Sequence, residues 1–282
     1  MLGMIRSLLV IGLLGCAGLL APAYAAAVEP LVLNSEQRAW LDQHRQLRVG
    51  VVVQAPFVQF DRRLQQLSGL NVELMTWLAS ALQVELVWQQ YADQAALEAA
   101  VRKGLVDLAP GLSQTPAGLR LWLYSDPYMR VPQLLVGARN GGTAVELEQL
   151  SPIEPVAVRM PSVVADYLRG TYLNLSLQGV SGERQALRQV LSQQVRYAVI
   201  DEAQFSRLAR ESEFAELAVV ADIGLPQLLR VASRRDWPQL SGLIDSALRS
   251  LSPKQLDQLR GRWLQLKYPR LSESPGFWQN LS

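Results

Sequence analysis

Two hydrophobic periods alternate along this chain. Residues 47–53 (LRVGVVV) form a largely β-branched and apolar run, the pattern of a buried strand. Over 69–83 the apolar positions Leu70, Leu74, Trp77, Leu78, Ala81 and Leu82 recur at helical spacing. A strand is predicted over 84–88, a helix over 94–103 closed by Gly104, and a short strand over 106–109. This β-α-β-α-β order predicts a parallel sheet covered by helices on both faces.

A second cycle of the same kind follows. Strands are predicted over 134–138, 156–159, 175–180, 195–200 and 217–221, with helices over 162–169, 183–193 and 202–210. Asn140-Gly141-Gly142 marks a turn, and Pro152 and Pro155 bracket the restart. A strand over 228–232 could return the chain to the first unit. Two amphipathic helices close it, over 237–251 and 253–266, the second with Ser252 as N-cap and Pro253 at N1. Ahead of the first strand, Asn34 and Gln37 are spaced as a capping box.

The first 25 residues stand apart from this pattern. Arg6 precedes an apolar run over 7–20, and Ala23-Tyr24-Ala25 is an A-x-A cleavage signal. A secretory leader over 1–25 is therefore expected, leaving a periplasmic mature chain. The run is shorter than the ~20 apolar residues a membrane span needs. Cys16, in Leu13-Leu14-Gly15-Cys16, offers a looser lipoprotein box as the alternative. Cys16 is also the single cysteine, so cleavage after Ala25 would leave no thiol chemistry.

Charge and composition narrow the partners. The 27 Lys+Arg nearly balance the 25 Asp+Glu, and no basic run exists, which argues against nucleic acid. His44 is the only histidine and has no Cys or His companions, so no metal and no cofactor is expected. A hydrophobic content of 49% suffices for two modest cores or one large one.

Segment 111–128, GLSQTPAGLRLWLYSDPY, resembles the ligand-contact signature of periplasmic solute-binding proteins of the Venus-flytrap type, family 3. That signature runs Ser-x-Thr-Pro-x-Arg, a hydrophobic step, then Ser-x-Pro-Tyr. Ser113, Thr115, Pro116, Ser125, Pro127 and Tyr128 fall in register; Gly118 stands where the family has its arginine. Other pieces follow in order: Leu47-Arg48-Val49-Gly50-Val51 with Ala55-Pro56-Phe57, Gly69-Leu70-Asn71-Val72-Glu73-Leu74, Asp166-Tyr167-Leu168, the strand ending at Asp201, and Arg262-Trp263-Leu264. The lead-in around Trp40 is similar to that of sensor modules attached to histidine kinases or cyclases.

The resemblance implies a two-lobed α/β fold (class II) with a parallel-dominated sheet in each lobe and two hinge crossings near 132–137 and 226–231. It divides the chain into an N-terminal extension (26–46), lobe 1 (47–133), lobe 2 (134–227) and a return to lobe 1 (228–282). It also implies a monomeric, non-catalytic protein that closes over a small, polar amino-acid-like or organic solute. The liganded form would engage a membrane permease of the ABC transporter class, or a receptor or sensor protein.

The residues it places at the ligand are Phe57, Gly111, Ser113, Thr115, Tyr128, Ser162 and Asp201. Each has a structural alternative. Thr115 can cap a helical turn with Pro116 at N1, and Ser113 can be a turn residue. Phe57 can be core, and Tyr128 a packed hinge residue. Asp201 would pair with a ligand ammonium in the family, but it also precedes a helix with Gln204 at N3. Ser162 is equally an N-cap or a cleft hydroxyl, and Pro161-Ser162-Val163 departs from the family's Gly-Thr/Ser-Thr/Ser loop.

Gly118 bears on the ligand. A bidentate arginine–carboxylate contact is worth roughly 1.5–3 kcal/mol, about ten- to a hundred-fold in affinity. Arg120 is two positions on, about 200° round a helical turn, and is expected in solvent. An ordinary α-amino acid is thereby disfavoured, and an arginine restored at 118 is expected to recover the grip if the cleft is otherwise intact. Asp107, Asp126 and Asp201 could serve as acids, but turn and cap roles are expected for them.

Overall fold

The computed structural model describes residues 31–141 and 145–271. The expected leader with Cys16, its expected cleavage signal, and Gly142 of the expected turn lie outside the described residues. Among the described residues no helix is long and apolar enough to cross a membrane, and no cluster of His, Cys, Asp or Glu could hold a metal.

Helix α1 (Ser35–Gln43) opens with the expected capping box. Asn34 Oδ1 accepts from the Gln37 N–H at 2.8 Å, and Gln37 Oε1 accepts from the Asn34 N–H at 3.0 Å. His44 ends the helix and stacks on Trp40 at 3.9 Å, with Trp237 edge-on to both rings. The central strand β1 (Gln46–Val52) follows, then a small hairpin, β2 (Gln59–Asp61) with β3 (Gln66–Ser68). That hairpin has no apolar alternation to announce it.

Lobe 1 continues with α2 (Leu70–Leu82), β4 (Glu85–Tyr91), α3 (Gln94–Arg102) and β5 (Leu108–Leu112). Strands β4 and β5 flank β1 in parallel. Val49 and Val51 face a large core with Leu74, Leu78, Leu240 and Ile244, while Leu97, Val106 and Trp122 fill a smaller one. Burial on both faces explains the apolar run of β1 from Val49 to Val52. Strand β5 starts two residues later than expected and runs through Pro110 and Gly111. The short strand β6 (Trp122–Tyr124) lies against β11 (Leu217–Arg234).

Lobe 2 repeats the plan. Strand β7 (Met129–Ala138) leads in, then β8 (Val156–Arg159), α4 (Val163–Thr171), β9 (Leu177–Val180), α5 (Glu183–Leu191), β10 (Tyr197–Asp201) and α6 (Glu202–Leu208). Strands β8, β9 and β10 are parallel, and β7 pairs β10 antiparallel. Two further cores, one around Phe205 and Phe214 and one around Leu168 and Val199, cover its faces.

Strands β7 and β11 carry the chain between lobes. They pair antiparallel from Leu217↔Ala138 to Leu229↔Met129, with an irregularity between Asp222 and Pro226. The two separate strands expected over 217–221 and 228–232 are thus one. Pro226 and Gly224 look like breakers in sequence, but the strand absorbs them as a bulged stretch beside an intact partner. The whole sheet runs β4-β1-β5-β11-β7-β10-β8-β9. Helices α7 (Pro238–Ser250) and α8 (Pro253–Trp263) return to lobe 1, α8 with a Ser252–Gln255 capping box.

Candidate functional site

The site is framed by the loop after β5, the start of α4 and the middle of β11. Beyond β5, Thr115 Oγ1 accepts from the Gly118 N–H at 2.8 Å, and the Thr115 carbonyl accepts from the Leu119 N–H at 2.9 Å. This caps the 3-10 turn Gly118–Arg120. Thr115 is thereby committed to the turn, and Arg120 is exposed.

Gly118 is buried, and a Cβ there would collide with the Tyr124 hydroxyl and stand 2.9 Å from Thr115 Oγ1. Tyr124 therefore fills the room through which a side chain at 118 would leave. Burial pushes its phenol up to about 12, so it remains a neutral hydroxyl. An arginine at 118 would therefore need the Tyr124 side chain to move before it could reach the cleft.

Gly111 and Tyr128 belong to a polar knot inside lobe 1. Gly111 adopts φ +80°, where a Cβ would run into the Asn71 amide. Asn71 Oδ1 accepts from the buried Tyr128 hydroxyl at 2.6 Å. Burial raises the Tyr128 phenol's pKa, so it donates as a neutral group. Phe57 sits beside them in the lobe 1 core, its carbonyl accepting from the Asn71 N–H at 2.9 Å. Ser125 is likewise engaged, donating to the Asp126 carbonyl at 2.7 Å and accepting from the Val231 N–H at 3.0 Å.

From lobe 2, Ser162 caps α4: its Oγ accepts from the Ala165 N–H at 3.1 Å. The amides of Val163 and Val164, in the first turn, have no intrahelical acceptor. Asp201 caps α6 through Gln204 at 2.8 Å and is only 7% exposed. Burial pushes its carboxyl up to about 7; nearby Glu183 adds to this, and Arg159 opposes it.

A cleft of ≈ 280 Å³ opens among these elements. Lobe 1 contributes Ser113 and Gln114, lobe 2 contributes Val163 and Val164, and β11 contributes Leu225, Pro226, Gln227, Leu228 and Arg230. Ser113 Oγ is buried without a hydrogen-bond partner. Arg230 is half-buried and donates through Nη1 to the Ser125 carbonyl at 2.6 Å. A larger hollow of ≈ 490 Å³ lies beside the C-terminal tail, lined by Glu202, Leu266, Lys267, Tyr268 and Arg270. Three of its polar groups are engaged with each other: Tyr268 donates to Glu202 and accepts from Arg270 at 2.6 Å. The smaller cleft is the better site, because both lobes and a crossing strand bound it and it holds an unsatisfied hydroxyl.

Of the residues expected at the ligand, Ser113 lines this cleft, and Ser162 adjoins it through the helix it caps. Phe57, Gly111, Thr115, Tyr128 and Asp201 are outside the lining, each held by the scaffold contacts above. Sequence reasoning overlooked Gln114, Val163, Val164 and Arg230. Arg230 had a signal: it is the one charge in the LPQLLRVA stretch of β11. Asp107 is a structural acid. Burial raises its pKa, but bonds from Arg48 at 2.7 and 2.9 Å and from Arg234 at 3.1 Å more than offset this and hold it below its ordinary value.

Two α/β lobes joined by crossing strands, with a cleft between them, define a two-lobed binding domain. Residues 47–266 match the model of the bacterial extracellular solute-binding proteins, family 3, and the chain belongs to that family. It is 23% identical over 246 residues to the virulence sensor protein BvgS of Bordetella pertussis, covering 86% of this chain and 19% of that protein. The chain thus spans about a fifth of the length of the curated relatives it matches. The solved periplasmic VFT2 domain of B. pertussis BvgS superimposes with a TM-score of 0.74 at 21% identity, covering 83% of this chain and 99% of that one. A histidine kinase sensor domain similar to periplasmic binding proteins gives 0.68 at 24% identity, covering 81% and 100%.

Proposed function

We propose that this chain binds a small organic solute in the cleft between its lobes, acts without catalysis, and works as a monomer in the periplasm. The supporting observation is the cleft lined by Ser113 and Gln114 from one lobe, Val163 and Val164 from the other, and β11 crossing between them. Bending at the irregular stretch of β7 and β11 brings the two walls together, and a solute touching both favours the closed form. The closed form is then what a membrane transporter recognises.

A second reading, ligand sensing with a separate membrane partner, is favoured by the likeness to sensor proteins and by helix α1 packed through Trp40 and His44 against Trp237. Thermal-shift screening of polar metabolites, followed by calorimetry, tests the shared core of both readings. Stabilisation by at least one small solute is expected; none across amino acids, amines and small acids would sink it. To separate the two, the liganded protein is added to a reconstituted permease–ATPase or to a membrane sensor kinase. Stimulated ATP hydrolysis marks transport, and altered autophosphorylation marks sensing.

A further inference from the structure

Resting on solute binding in this cleft, we infer that the ligand is a small monocarboxylate with an apolar body and no required ammonium group, and that Arg230 on the second crossing strand is its carboxylate anchor. The position where the family's arginine would stand is Gly118, and Tyr124 closes its exit. Arg230 enters instead from β11, whose Arg230↔Leu112 pairing sets it beside the Ser113 loop. Its Nη1 is fixed on the Ser125 carbonyl at 2.6 Å, which orients the guanidinium and leaves its remaining donors for a ligand.

Five further observations define the class. Arg230 is the one charged residue lining the cleft, so a single negative charge balances it. Ser113 Oγ, buried and unpartnered, supplies a donor to the same anion. Val163 and Val164, in the first turn of α4, line the cavity from the opposite lobe, and a helix start favours negative charge. No carboxylate lines the cleft, and Asp201, the residue that would hold an ammonium, is buried as the cap of α6. The rest of the wall is Val163, Val164, Leu225, Pro226 and Leu228, which suits a hydrocarbon body.

Calorimetry on the full chain tests this with phenylacetate, 4-methylpentanoate and succinate as acids, phenylacetamide as the neutral isostere, and phenethylamine and phenylalanine as ammonium-bearing probes. A monocarboxylate is expected to bind best, with the amide at least about tenfold weaker and phenylalanine no tighter than phenylacetate. Arg230→Gln should weaken the carboxylate by about 10- to 100-fold, and Arg230→Lys by less, since charge survives without the planar fork. Should loss of the Ser125 contact unfold Arg230→Gln, Ser113→Ala carries the test, with an expected loss of a few-fold. Tightest binding of phenethylamine, phenylalanine or succinate, or carboxylate binding indifferent to both substitutions, overturns the inference while solute binding stands. Binding of some other solute class with no affinity for any acid overturns it equally. Silence across these probes and the wider metabolite screen overturns solute binding itself.

Discussion

Gly118 and Tyr124 illustrate how one substitution is absorbed by its neighbour. A side chain at 118 must pass the Tyr124 hydroxyl and stand 2.9 Å from Thr115 Oγ1, so Gly118→Arg alone should destabilise the fold by about 1–3 kcal/mol through overpacking. It should not confer amino-acid binding. Pairing it with Tyr124→Ala opens the exit but removes a half-buried ring from the smaller lobe 1 core, so only partial recovery of stability is expected. Chemical denaturation of both variants checks the energies, and calorimetry with phenylalanine checks the grip. Full stability of the single variant would show that Tyr124 swings aside freely. The loss of the arginine was legible in sequence, but its replacement by a tyrosine six residues on was not, because the contact closes through the turn between them.

Asp201 carries the second residue-scale consequence. Its carboxyl ionises near its ordinary value of 3.8 when the chain is unfolded but at about 7 when buried. A raised folded value means that its contribution to stability is present below the unfolded pKa and is lost as pH rises towards 7. Asp201→Asn keeps the cap, since asparagine serves as well at an N-cap, and removes the titration. The stability of the native protein relative to this variant should therefore fall between about pH 4 and 7, read from urea midpoints across that window. Parallel profiles for the two proteins would show that Asp201 ionises normally inside the fold.

At the scale of elements, Asp107 ties three strands together. It lies just before β5, accepts from the Arg48 side chain and N–H on β1, and accepts from Arg234 at the end of β11. Asp107 itself is 2% exposed by side chain, whereas Arg48 and Arg234 remain 33% and 19% exposed, so water compensates part of any loss. Asp107→Asn should cost about 2–3 kcal/mol, below the range for a fully buried pair. Urea denaturation measures it, and a change under 0.5 kcal/mol, the size of a typical surface substitution, would mean that the two arginines find other partners. The element pattern itself was largely readable. Strand β1 has an apolar run interrupted by Arg48, α1 and α8 carry capping boxes, and α2 shows its buried stripe. What escaped were β2 and β3, polar and short, the three-residue β6, and the continuity of β11. A strand's unity depends on the partner beside it, and β7 is 79 residues away at the Leu217↔Ala138 pair.

On the scale of the whole molecule, the two lobes share more than β7 and β11. Helix α8 is held on lobe 1, where Glu73 on α2 accepts from Trp263 at 2.6 Å and pairs with Arg262. The chain then leaves lobe 1 and lies along lobe 2 over 265–271. Ser206 on α6 donates to the Gln265 carbonyl at 2.6 Å and accepts from the Lys267 N–H at 3.0 Å, Arg210 bonds Gln265 twice, and the Val219 N–H meets the Pro269 carbonyl at 2.9 Å. This tail limits how far the lobes can separate, because its ends are fixed on different bodies and little slack lies between Leu264 and Gln265. Weakening its hold with Ser206→Ala and Arg210→Ala together should let the ligand-free protein open further. Small-angle scattering reads this as a rise above the radius of roughly 18 Å expected for about 240 compactly folded residues. Solute affinity should fall in step, since a smaller fraction of molecules then occupies the binding-competent form. An unchanged radius with unchanged affinity would show that β7 and β11 alone set the opening, leaving the tail a passive cover on lobe 2.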